Sequence, residues 1–123
     1  MSEYADRIAT LAAEAAEDRE AFEPPADPPD EDRAMGFLRE GVGPAVAVYV
    51  DAHTGEWSHR FDPDRFADLE GAMNTWLELY AACYGFDIEA EYTVRKAAEL
   101  LLDTHNIHDV AQVLTHVPER GVR

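Results

Sequence analysis

The densest run of side chains able to do chemistry is Asp103-Thr104-His105-Asn106-Ile107-His108-Asp109, with His116 two turns further on. Neutral imidazoles and carboxylates are the ligands that zinc and similar divalent ions take, and His105 with His108 or Asp109 could meet at one end of a helix. Three such ligands with an open position activate water, so the pattern points to a small metal-dependent hydrolase. His108 and His116 lie about 12 Å apart along a helix, too far to share an ion. The competing reading needs no metal: Asp103 and Asn106 cap helices, and the histidines form a solvated face. With five histidines in the chain, a pair three or four apart also arises readily by chance.

Other reactive patterns are weaker. Ser2 and Ser58 are the only serines, and strand alternation would turn Ser58 away from His59, its neighbouring base. Cys83 has no basic neighbour in sequence to stabilise a thiolate and reads as buried filler; as the only cysteine it excludes an intrachain disulfide. Acid pairs such as Glu89 with Glu91 are unavoidable among 26 acids and do not argue for glycosidase chemistry. Gly41-Val42-Gly43 stands before an expected strand, whereas a dinucleotide loop follows one. Phosphate-loop, zinc-helix and nucleophile-elbow motifs are absent.

The elements that must position these residues follow from periodicity. Ser2 caps an N-terminal helix with a narrow apolar stripe of Tyr4, Ile8, Leu11 and Ala15. The segment 23–32, EPPADPPDED, holds four prolines and five acids and reads as an extended linker. Ala45 to Val50 is apolar on both faces, as a covered strand would be. Asp51 to Gly55 carries turn residues, and Glu56 to Phe61 alternates, so a β-hairpin is expected. Asp62 and Pro63 open a central helix whose apolar positions Phe66, Leu69, Met73, Trp76, Leu77, Tyr80 and Tyr84 keep the helical period until Gly85.

Residues 86–92 then alternate Phe86, Ile88, Ala90 and Tyr92 with polar neighbours, which predicts a third strand, although Asp87 could also cap an early helix start. Thr93 caps one helix and Asn106 another, giving a C-terminal helical hairpin. Its spacing also mimics a helix-turn-helix, but the second helix has no Arg or Lys to meet phosphates. The expected fold class is helix-rich α+β, with an N-terminal helical arm over 1–22, a linker over 23–32 and one α+β domain over 33–123.

Composition narrows function by charge. The chain has 123 residues, enough for one domain, and 26 Asp and Glu against 10 Lys and Arg give a net charge of −16. That balance opposes binding to nucleic-acid backbones or anionic lipid. No apolar run approaches the ~20 residues of a membrane span, and Ser2-Glu3-Tyr4-Ala5-Asp6 lacks the basic and apolar regions of a secretory leader, so a cytoplasmic location is expected. Lys96 is the sole lysine beside nine arginines. In this Asp-, Glu-, Ala- and Val-rich, Lys-poor composition the chain resembles cytoplasmic proteins of salt-loving archaea. The resemblance implies a surface adapted to molar salt and says nothing of activity.

The function expected from these features is a salt-adapted, non-enzymatic protein-interaction module, a homo-oligomer or adaptor, with no cofactor and with contacts through Tyr4, Ile8, Leu11 and Ala15. Its rivals are a divalent-metal hydrolase using His105, His108 and Asp109, and a transcription-associated helix-turn-helix protein.

Overall fold

In a computed structural model, which describes residues 3–54 and 63–117, the order is α1 (Glu3–Ala21), α2 (Glu31–Phe37), a π-helical turn (Leu38–Val42), α3 (Gly43–Thr54), α4 (Pro63–Cys83), α5 (Val94–Thr104) and α6 (Ile107–Thr115). No strand occurs among the described residues. The fold is all-α, and the α+β expectation is corrected at three places.

The first correction is the run Ala45 to Val50, which is helical. Over residues 45–52, Ala45, Val46, Val48 and Ala52 are buried and Tyr49 and Val50 half-buried, with Ala47 and Asp51, four residues apart, exposed. A helix covered on nearly every side shows no polar stripe, so its sequence cannot be told from that of a buried strand. In a regular helix the ring of Pro44 would crowd the carbonyl four residues back. The turn before it is wound wider: the Gly43 N–H donates to Leu38 O, five residues back, and the chain runs through Pro44 as one helical rod from 31 to 54.

The second correction concerns the hairpin. Its turn, from Asp51, is taken up by the end of α3, and its second strand, Glu56 to Phe61, lies outside the described residues. The third is the strand expected at 86–92. The chain there is non-helical; Ala90 is buried, Ile88 and Tyr92 are half-buried and Asp87, Glu89 and Glu91 face outward, so the alternation holds from Asp87 to Tyr92, while Phe86 is exposed. Its backbone partners are side chains of α4. Asn74 donates to Tyr92 O (3.0 Å) and accepts from Tyr92 N (3.1 Å), Glu78 accepts from Ala90 N (3.0 Å), and Glu70 accepts from Val94 N (3.0 Å). Residues four apart on a helix share a face, so 70, 74 and 78 form a row that meets residues 94, 92 and 90.

The helices themselves start where their caps indicate. Thr93 Oγ1 accepts from Lys96 N (3.1 Å), and Asn106 Oδ1 accepts from the N–H groups of His108 (2.9 Å) and Asp109 (3.1 Å). Gly85, at φ +89°, closes α4, its N–H bonded to Ala82 O at 2.9 Å. α4 is central: α1, α2 and the π turn pack along it, α3 lies against α1, α4 and α5, and α6 packs on α5 and the π turn. Leu69, Met73, Trp76, Leu77 and Tyr80 are almost wholly buried.

The narrow stripe of α1 is turned inward. Ile8, Leu11 and Ala15 are buried in the chain's own core and Tyr4 is half-buried, so the residues expected to offer contacts to a partner are engaged within the chain. No helix among the described residues is long and apolar enough to cross a membrane.

Candidate functional site

The histidine-rich run is divided by the geometry of its own helices. His105 ends α5 in the left-handed conformation (φ 55°), its N–H bonded to Leu101 O at 2.7 Å, and is exposed. His116 does the same for α6 at φ 60°. Both hold a position that glycine or asparagine usually takes. His108 and Asp109 sit half-buried in the first turn of α6. The His108 ring meets the Tyr80 ring edge-on at 6.2 Å, and its buried Nε2 has no hydrogen-bond partner among the described residues. Among those residues no group of three or more His, Cys, Asp or Glu side chains is placed to hold a metal ion.

The interior beside His108 keeps its protons. Tyr80 OH donates to Val117 O at 2.5 Å, and burial raises the Tyr80 hydroxyl far above its ordinary range. Burial also raises Tyr84, whose ring packs edge-on against Tyr80 at 5.3 Å, and pushes the Cys83 thiol up to about 11. A buried thiol that stays protonated is inert at neutral pH, in line with its reading as filler.

Two open clefts flank α4. The larger, about 770 Å³, runs between α1, α4 and the strap 90–92. Its floor is made of small residues: Ala12, Ala15 and Ala16 from α1, Ala67, Gly71, Ala72 and Thr75 from α4. Asp68, Glu70, Glu78 and Glu91 line its sides with one base, Arg19, which is paired with Glu78. Gly71 is the unusual member. It lies inside α4, where glycine costs about 1 kcal/mol against alanine, yet a Cβ there would meet nothing within 4 Å. Nothing in the packing of the described residues requires it. The signal available in sequence was only an isolated glycine within a helical period.

The smaller cleft, about 350 Å³, lies between the end of α1, α2 and the π turn. Gly41 belongs to this wall for a definite reason: an added Cβ would stand 2.3 Å from Trp76 Cδ2, so the indole packs directly on the backbone. Asp18 fixes the indole from above, accepting from Trp76 Nε1 at 2.8 Å. The Arg33 guanidinium lies 4.4 Å over the Phe22 ring and 6.0 Å from Phe37, while its Nη1 donates to Glu23 O at 2.7 Å.

Set against known families, residues 2–119 match the model of a family described as "Domain of unknown function (DUF8055)". The chain belongs to that family. No curated protein and no solved structure matched it. For this DUF8055 member the geometry therefore carries the functional argument. α5 and α6 pack together and are joined through His105 and Asn106, and α6 carries no Arg or Lys to present to a phosphate.

Proposed function

We propose that this protein is a salt-adapted, non-enzymatic interaction module that self-associates by packing helices into the groove between α1 and α4. Gly71 is the observation that carries this reading. A glycine that the described residues leave uncontacted, on a floor of alanines, keeps a helix surface open to close approach by another backbone. The acids beside the groove set the condition for association. Two copies meeting there bring carboxylates together, and that repulsion falls away as the Debye length shrinks from about 10 Å at 0.1 M salt to about 3 Å at 1 M. Association on this reading strengthens with salt, the reverse of an interface held by ion pairs.

The test is the native mass of the full chain by sedimentation between about 0.1 and 3 M potassium chloride, for the natural sequence and for Gly71→Gln. A Cβ at this position meets nothing within 4 Å in the monomer, and the remainder of the glutamine extends from a residue that lines the groove. The expected result is a heavier species that grows with salt in the natural chain and is lost in the variant. A monomer at every salt concentration, or a variant that associates like the natural chain, overturns the reading.

A further inference from the structure

We infer that the cleft beside the π turn is a binding site for a small zwitterion, a free α-amino acid with an apolar side chain. The inference rests on the second cleft alone and stands or falls independently of the groove.

Three features argue that this cleft holds a ligand. Its volume, about 350 Å³, is in the range of small-molecule sites, and it combines aromatic walls with a few polar groups. Gly36, in α2, lines it with open space beside its Cα: an added Cβ would find nothing closer than Glu40 Oε2 at 4.0 Å. As at Gly71, a helical glycine is present where packing does not call for one. The π turn that supplies Glu40 and Gly41 is a form of helix irregularity that recurs at functional sites.

The charges then select the ligand class. Among the described residues Arg33 forms no ion pair, although acids outnumber bases by 26 to 10 in the chain. The Phe22 ring, 4.4 Å from its Cζ, holds the guanidinium in place, and one bond to Glu23 O leaves N–H donors for a carboxylate. Asp18 spends Oδ2 on the Trp76 indole and keeps its other oxygen, and Glu40 stands over Gly36. A simple anion would be drawn to Arg33 but repelled by two carboxylates. A simple cation would meet Arg33 lying on the aromatic faces. Only a molecule with both poles finds a partner for each, its carboxylate on Arg33 and its ammonium between Asp18 and Glu40. The apolar remainder packs against Phe37, beside the buried Trp76 indole.

The experiment titrates the full-length 15N-labelled protein with free leucine, methionine and phenylalanine, and with their N-acetyl and amide derivatives, up to about 20 mM, a limit suited to a weak, millimolar site. The readout is the Trp76 indole N–H resonance, assigned by its absence from Trp76→Phe. Expected is a saturable shift with at least one free amino acid, with both blocked derivatives weaker by about tenfold or more. Arg33→Gln and Gly36→Leu, each checked for an unchanged melting profile, should abolish the shift; Arg33→Lys, which loses the planar fork, should weaken it. If Gly36→Leu does not fold, Arg33→Gln alone decides. No shift with any free amino acid, equal shifts with the blocked derivatives, or binding that survives Arg33→Gln overturns the inference.

Discussion

Asn74→Ala tests the explanation given for the missing third strand. Asn74 makes two bonds to one residue, donating to Tyr92 O and accepting from Tyr92 N. Each such bond contributes about 1 kcal/mol net, and Tyr92 is half-buried, so water replaces them only in part. Alanine is the better helix former and returns about 0.6 kcal/mol. The net loss is about 1.5 kcal/mol, a fall in melting midpoint of about 6 °C for a chain of this size. The specific readout is amide hydrogen exchange. In the natural protein the Tyr92 amide should exchange slowly although it has no strand beside it, and in Asn74→Ala it should exchange nearly as fast as the outward-facing Glu91. Asn74→Asp keeps the acceptor and should keep that amide protected, while losing the bond to Tyr92 O. If the Tyr92 amide is unprotected in the natural chain, or stays protected in Asn74→Ala, side chains of α4 are not what holds the strap.

Two further predictions follow from burial. Gly41→Ala and Gly71→Ala make the same change with opposite results: the first drives a methyl to 2.3 Å from a buried ring and should lower the midpoint by about 8 °C, a net cost of about 2 kcal/mol, while the second should raise it by about 3 °C. Thermal melts of both variants check this, and a destabilised Gly71→Ala would show that the position is packed after all. For the alkaline limb, the Cys83 thiol is raised in the fold from an ordinary 9.0 to about 11. The unfolded chain therefore loses this proton first, so stability should fall progressively from pH 9.0 through about 11. Cys83→Ala should flatten part of that fall, and a melt series identical to that of the natural chain would contradict it.

How much of this could be read from sequence depended on whether a segment has a polar side. α1, α4, α5 and α6 each keep a wet face, so their periods and the caps at Thr93 and Asn106 mark them correctly. α3 is nearly surrounded, and with its wet face gone Ala45 to Val50 carries no period at all. The strap 86–92 misleads for a different reason: alternation reports which side chains face inward and is silent about what bonds the backbone. A row of Glu70, Asn74 and Glu78 can do what a neighbouring strand would, and that row is legible only once the strap is known to lie across α4. The clefts are hidden in the same way. Gly36, Gly41 and Gly71 look alike in sequence, yet one is imposed by Trp76 and two are left open.

The acids are not one population, and this bears on what salt can do. Asp18, Asp30, Glu70 and Glu78 accept N–H bonds that fix an indole, the start of α2 and the strap. These bonds are short-ranged, so screening by molar salt changes them little. The acids of α1 at Glu14, Glu17 and Glu20 are exposed. Salt relieves the repulsion these exposed acids feel, and the repulsion between groove carboxylates of two copies, without breaking bonds of the first kind. A single rule for acid-rich composition therefore fails at the level of residues: neutralising an exposed glutamate on α1 should substitute for salt, whereas removing the acceptor, as in Glu70→Ala or Glu78→Ala, should damage the fold at every salt concentration.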